Sequence, residues 1–162
     1  MKTLLILRHA KSSSKEPELS DHDRPLNRRG QHDAPRMGQL LSQMSLLPDL
    51  ILCSTAARAR ATAESIIKIS GFPGDIRYSP DFYLAAPSTW IDAIHQIEDE
   101  HDRIMIVGHN PGLETMVQQL TGHDGPFPTT ALAQVELPIG SWQKLGWKTS
   151  GELVNIWRPK EL

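Results

Sequence analysis

Three short apolar runs punctuate the chain: Leu4 to Leu7, Leu50 to Cys53 and Ile104 to Val107, each bounded by polar residues. Unbroken apolar runs of this length are the mark of strands buried on both faces. Between them the spacing of apolar residues changes to i, i+3, i+4, i+7. Met37, Leu40, Leu41 and Met44 keep it, as do Trp90, Ala93, Ile94 and Ile97, and again Leu113, Met116, Val117 and Leu120; Ala59, Ala63, Ile66 and Ile67 come close. Each set predicts an amphipathic helix with one face on the core. Pro35 allows two starts for the helix around Met37: one near Asn27 that runs through the proline, or one at the proline itself. Strands alternating with helices predict an α/β fold, a single three-layer domain with a mostly parallel sheet and helices on both faces. The tail breaks the alternation. Thr130 to Leu137 and Glu152 to Trp157 have strand character with no helix pattern between them, which predicts an antiparallel pair at a sheet edge near the C-terminus. A weaker strand is predicted over Asp75 to Ser79.

Composition narrows the class. The 162 residues form one domain, residues 1–162, and carry 17 Lys and Arg against 19 Asp and Glu for a net charge of −2. That balance disfavours nucleic acid as a partner while leaving room for a local basic pocket. The single cysteine, Cys53, excludes an internal disulfide, suits a reducing compartment, and reads as a small buried hydrophobe inside its apolar run. No stretch approaches the roughly 20 apolar residues that span a bilayer. The opening run Leu4 to Leu7 halts at Arg8-His9, short of the about 7–15 apolar residues of a secretory leader. The expectation is a cytoplasmic protein with no membrane partner.

The chemistry is at the ends of the apolar runs. The first ends in Arg8-His9, the second in Ser54-Thr55 and then Arg58, and the third in Gly108-His109-Asn110. Ligands of open α/β sheets bind outside the carboxyl ends of the strands, so all three runs deliver polar residues to one edge. If the strands are neighbours, two histidines and two arginines meet there. Such a cluster suits an anion, because guanidinium groups match phosphate oxygens and neutralise charge that develops on them. Asn110 is placed to cap a helix and Pro111 to open it, which would aim free backbone N–H groups at the same anion. Lys11 and Ser12, in the loop after the first run, offer a further charge and donor. A neutral imidazole is a nucleophile toward phosphorus, and a second one, if protonated, donates to a phosphoryl oxygen. Metal binding is the rival use of two histidines, but neither His9 nor His109 has an H-x-x-x-H spacing or an adjacent Cys or carboxylate. No metal and no cofactor is expected. Arg60, two places beyond Arg58, competes with it for the role. His22, His32, His95, His101 and His123 stand in polar or helical contexts and carry no such assignment.

These motifs resemble a known family. Leu7-Arg8-His9-Ala10-Lys11-Ser12 is similar to the Arg-His-Gly signature of the histidine phosphatase superfamily, which has the phosphoglycerate mutase-like fold. Ser54-Thr55-Ala56-Ala57-Arg58-Ala59 with Thr62-Ala63 resembles its Ser-Pro-x-x-Arg-Ala-x-x-Thr segment, and Val107-Gly108-His109-Asn110-Pro111 its second histidine motif. Asp23-Arg24-Pro25-Leu26 with Gly30, and Pro128-Thr129-Thr130-Ala131, resemble the SixA-like phosphohistidine phosphatase branch. The resemblance implies that His9 is the nucleophile that becomes phosphorylated, that Arg8 and Arg58 grip the phosphoryl group and that His109 completes the pocket. Ala10 and Thr55 depart from the usual Gly and Pro.

Many members of the family use a carboxylic acid to protonate the leaving oxygen, in some cases an Asp directly after the second histidine. Here Asn110 holds that place, which leaves Asp21, Asp23, Asp81 and Glu114 as candidates. A substrate with a labile P–N bond escapes most of the about 10²–10⁴-fold cost of a missing acid. Larger members also insert a cap over the pocket, and Gly71 to Leu84 offers the only room for one. The expected function is therefore a metal-independent phosphatase that works through phospho-His9 on phosphohistidine carried by a protein. The alternatives are a phosphatase of small phosphoesters, a non-catalytic phosphate-binding module and a metal-dependent hydrolase.

Overall fold

A computed structural model describes residues 1–162. Its elements alternate along the chain as β1 (Lys2–Arg8), α1 (Arg28–Gln43), β2 (Leu50–Ser54), α2 (Ala57–Ser70), β3 (Asp75–Ser79), α3 (Pro87–Ile94), β4 (Arg103–Gly108), α4 (Gly112–Thr121), β5 (Leu132–Leu137) and β6 (Glu152–Trp157). The three apolar runs became β1, β2 and β4. One six-stranded sheet has the order β3-β2-β4-β1-β5-β6. Pairing is parallel from β3 to β1 and antiparallel from β1 through β5 to β6. β4 thus sits between β1 and β2, the adjacency on which a shared strand-end site depends.

The two faces of the sheet explain the unbroken apolar runs. Leu4 and Ile6 of β1 point to a core shared with Trp90, Ile94, Leu113 and Met116 of α3 and α4. Leu5 and Leu7 point the other way, to Met37, Leu41, Ala59 and Ile66 of α1 and α2. All four strand residues are fully buried, so both alternating sets must be apolar. No helix is long and apolar enough to cross a membrane.

Local boundaries correct several expectations. α1 begins at Arg28, where the Asn27 side chain accepts from the Gly30 N–H at 2.9 Å, and Pro35 lies inside the helix. Met44 falls outside α1 and is 50% exposed, so the apolar stripe ends at Leu41. α3 stops at Ile94, yet Ile97 remains buried in the core beyond it. β5 starts at Leu132 because Thr130 takes a left-handed backbone (φ 65°), with its N–H shared by the carbonyls of Arg8 and His9. The predicted Asn110 cap is displaced as well. α4 begins at Gly112, and Pro111 takes the cap position because the His109–Gly112 turn closes with a Leu113 N–H to His109 carbonyl bond of 3.1 Å. Asn110 still serves the helix from one residue further out: its Oδ1 accepts from the Glu114 N–H at 3.2 Å and its Nδ2 donates to the Phe127 carbonyl at 2.8 Å.

Two glycines allow chain segments to close around the strand ends. A Cβ on Gly30 would lie 2.2 Å from the Lys11 carbonyl oxygen, and one on Gly112 would lie 2.1 Å from the Ala85 carbonyl oxygen. Both obstacles are backbone, so no rotamer change relieves them. Gly112→Ala is expected to destabilise the fold by about 2–3 kcal/mol, seen as a melting temperature lower by roughly 5–10 °C in a calorimetric scan. An unchanged melting temperature would show that the α4 start has slack.

Candidate active site

Because β1, β4 and β2 run parallel and side by side, their carboxyl ends present His9, His109 and Ser54 to one point. The rings of His9 and His109 lie with centroids 5.1 Å apart. Arg58, near the start of α2, reaches across both. Its Nε donates to His9 Nε2 at 3.3 Å, and its Nη2 approaches His109 Nδ1 at 3.4 Å. Arg8, at the end of β1, donates from Nη1 to the Phe127 carbonyl at 3.2 Å, while its buried Nε has no partner within the protein. The four strand-end residues therefore converge on one open cavity of about 340 Å³. Lys11, Ser12 and Asn110 line it too, and so do Arg24, Ser14, Leu84 and Thr129. Arg60 is elsewhere, with its guanidinium over the Tyr78 ring.

The hydrogen bonds fix which ring nitrogens hold protons. His9 Nδ1 lies 2.8 Å from the Ala10 carbonyl, which can only accept, so Nδ1 carries the hydrogen and Nε2 keeps its lone pair facing the cavity. His109 is arranged the other way round. A guanidinium cannot accept, so Nδ1 is the bare nitrogen beside Arg58 and Nε2–H donates to Ser54 Oγ at 2.8 Å. Thr62 Oγ1 accepts from the Ala10 N–H at 2.9 Å and donates to the Arg58 carbonyl at 2.7 Å, tying the loop after β1 to α2. Burial is the main force that lowers both imidazoles, His9 to about 4 and His109 to about 3. Neighbouring charge adds to it, chiefly Arg58 and Arg8 for His9. Both rings are neutral at pH 7, the state a nucleophile needs.

Stability should carry the mark of these shifts. The unfolded chain takes up protons on these histidines as pH falls through about 6.5, while the folded protein declines them until about 4 or below. Their contribution is therefore intact above pH 6.5 and is lost as pH falls from there toward 4. A tenfold change in proton affinity is worth about 1.4 kcal/mol. Melting temperature should drop across that window, and less steeply in a His9→Asn, His109→Gln double variant. Equal slopes would contradict the assigned charge state. Imidazole resonances that titrate near 6.5 in nitrogen-15 NMR would do the same.

Asp21 and Arg24 were not singled out by the strand-end pattern. Arg24 lies in the loop that follows a short 3-10 turn over Asp21–Asp23 and is carried to the cavity by an isolated bridge between Ser12 and Leu26. Its Nη2 donates to Ser12 Oγ at 2.5 Å, its Nε to the Ser13 carbonyl at 2.9 Å and its Nη1 to Asp21 Oδ1 at 2.8 Å. Asp21 stands behind the site. Its Oδ2 accepts from Arg58 Nη2 at 3.0 Å and from the Tyr83 hydroxyl, and its backbone carbonyl accepts from Arg58 Nη1 at 2.7 Å. These donors, the Tyr83 hydroxyl first, hold its carboxyl at about 2, so it is ionised throughout the working range and has no proton to give. No Asp or Glu lines the cavity: Asp23 and Asp81 are exposed away from it, and Glu114 Oε1 accepts from the Phe127 N–H at 3.0 Å. No group of three or more His, Cys, Asp and Glu side chains is arranged to hold a metal ion.

This geometry has relatives among known proteins. The profile of the histidine phosphatase superfamily (branch 1) matches residues 4–82, which include the β1 and α2 motifs. A crystal structure from Agrobacterium tumefaciens, provisionally assigned as the phosphohistidine phosphatase SixA, superposes with a TM-score of 0.84 at 30% identity over 98% of each chain. The chain belongs to the histidine phosphatase superfamily. Within it, this protein lies on the SixA-like branch. The protein histidine phosphatase SixA, solved with tungstate, shares the fold at a TM-score of 0.82 and 21% identity over 98% of each chain. An uncharacterised chloroplastic protein of Arabidopsis thaliana is 34% identical over 91% of this chain and 75% of its own length. As a superfamily member the protein is a phosphatase with the phosphoglycerate mutase-like fold, and the segment Gly71 to Leu84 adds to that fold only the edge strand β3 and a short 3-10 turn over Pro80–Phe82. The cavity accordingly stays open, with Leu84 its one apolar wall residue.

Proposed function

We propose that this phosphatase removes the phosphoryl group from phosphohistidine on a protein, through a covalent intermediate on His9 and without a metal ion. His9 Nε2 attacks phosphorus as the P–N bond to the substrate imidazole breaks. The leaving imidazole, protonated by solvent on its other ring nitrogen, departs neutral. Water then attacks the phosphoryl group on His9, gives its surplus proton to solvent, and inorganic phosphate leaves with His9 restored. Arg8, Arg24 and Arg58 supply the positive charge that offsets the three phosphoryl oxygens, and the unpartnered Arg8 Nε is one of their donors. His109 Nδ1, drawn toward protonation by the bound dianion, donates to a phosphoryl oxygen.

The observation that carries the substrate class is the absence of a protonated carboxyl at the cavity. Asp21, the one carboxylate in contact with the catalytic arginines, is held at about 2 and is committed to Arg58, Arg24 and Tyr83. An alkoxide cannot leave well without an acid, whereas an imidazole can. The uncapped cavity also admits a side chain that projects from a protein surface. The test is turnover of three substrates: a phosphohistidine peptide, a phosphoserine peptide and an aryl phosphate. The phosphohistidine peptide is expected to exceed phosphoserine by about 10²-fold or more in kcat/KM. Equal rates, or a preference for the monoester with a clear acid limb, would mean that a proton donor operates and that small phosphoesters are the substrates.

A further inference from the structure

The phosphoryl cavity adjoins a larger groove of about 620 Å³, and Lys11 and Thr129 belong to the walls of both. Pro126, Pro128 and Pro159 form its apolar parts, and Arg29, Arg158 and Lys160 stand around them. Seven of the chain's 17 cationic side chains line the two depressions together, against two of its 19 carboxylates. Those two carboxylates are already engaged. Asp33 is buried between Arg29 at 3.6 Å and Arg36 at 3.9 Å, and Glu161 pairs with Arg158 at 3.3 Å. Lys11 and Lys160 are exposed and make no ion pair. A chain of net charge −2 thus places two lysines without a carboxylate partner, Lys11 and Lys160, beside the catalytic mouth.

We infer that this groove receives an acidic segment flanking the phosphorylated residue of the substrate protein. The inference rests on the phosphohistidine reading above. A phosphorylated side chain that inserts into the cavity leaves its own backbone at the mouth. At about 3.3 Å per extended residue, the next few residues on one side cross the Lys11–Thr129 wall into the groove. The prolines there have no N–H to offer, so the groove does not bind by strand addition. It contributes a rigid apolar surface for side-chain stems and a rim of cations for carboxylates. Lys11 sits at the junction, where it can face the phosphoryl group on one side and the first acidic residue on the other.

The test compares three substrates: phosphohistidine peptides with Asp and Glu on both flanks, the same peptides with Gly and Ser flanks, and free phosphohistidine. For the wild-type protein the acidic peptide is expected to lead the neutral one by about five- to tenfold in kcat/KM, through KM, given modest exposed pairs acting together. Raising salt from about 0.05 to 0.5 M should shrink that lead. Lys160→Glu should remove most of it and leave turnover of free phosphohistidine unchanged. Equal turnover of the two peptides overturns the groove assignment and leaves the phosphohistidine reading standing. An acidic preference that Lys160→Glu does not touch places the contact elsewhere and also overturns it. Failure to turn over any phosphohistidine substrate overturns both.

Discussion

His9→Ala is expected to lower turnover by roughly 10⁴-fold or more, with the protein still folded and still able to bind an oxyanion. The size follows from what is removed. Loss of a nucleophile leaves only the electrostatic part of catalysis, and covalent catalysts crippled in this way retain a small residue of activity from their charge-stabilising groups. In the proposed mechanism those groups are Arg8, Arg24, Arg58 and His109, which line the cavity beside His9. Removing the ring also frees the cavity of a buried neutral base, so the acid-side stability loss should lessen in this variant. Tungstate or vanadate titration would report retained binding while the rate collapses. A His9→Ala variant with more than a few per cent of wild-type turnover would show that phosphorus is attacked by something else.

The second large effect belongs to Arg58. This side chain is 4% exposed and spends its three nitrogens on four partners: His9 Nε2, His109 Nδ1, the Asp21 carboxylate and the Asp21 carbonyl. It contacts both imidazoles, and in the proposed mechanism it orients His9 and faces the phosphoryl group. Arg58→Ala is expected to cost about 10²–10³-fold in kcat/KM, as for the loss of one donor that stabilises transition-state charge. Arg58→Lys should recover little of it, because one ammonium cannot span two rings and a carboxylate as a planar fork does. Stability should suffer less than activity. Asp21 is 46% exposed in its side chain and keeps Arg24 and water when Arg58 is gone, so its charge is not stranded. Steady-state kinetics with a thermal scan on the same samples separates the two effects. A loss of rate that merely tracked a loss of fold would contradict the assigned role.

Much of this was legible in the sequence, for physical reasons. A strand covered on both faces must be apolar at every position, so β1, β2 and β4 stand out as unbroken runs, and the polar residue that ends each run marks its open end. That logic sent Arg8, His9, Arg58 and His109 to one edge of the sheet, and the structure brings the four together at one cavity. The same logic could not give strand order, which depends on pairing between residues about 100 positions apart, such as Leu4 with Ile104. It also could not find Arg24 or the state of Asp21. Arg24 comes from a loop with no periodic signal, placed by one bridge between Ser12 and Leu26. Asp21 looked like a candidate acid because its sequence neighbours say nothing of Arg58 and Tyr83, 37 and 62 residues away, whose donors hold it ionised. Local readings of the chain ends of elements fared worst where backbone turns intervened. The Pro111-Gly112 turn moved the α4 cap by one residue, and the left-handed Thr130 delayed β5.

The pivotal measurement is a rapid quench of the protein mixed with labelled phosphohistidine peptide, followed by phosphorus NMR and peptide mapping of the trapped species. The structure predicts an acid-labile, base-stable phosphoryl group on the Nε2 atom of His9, because Nδ1 is committed to the Ala10 carbonyl. A phosphoryl group on Nδ1, on any other residue, or still formed by the His9→Ala variant would contradict the account.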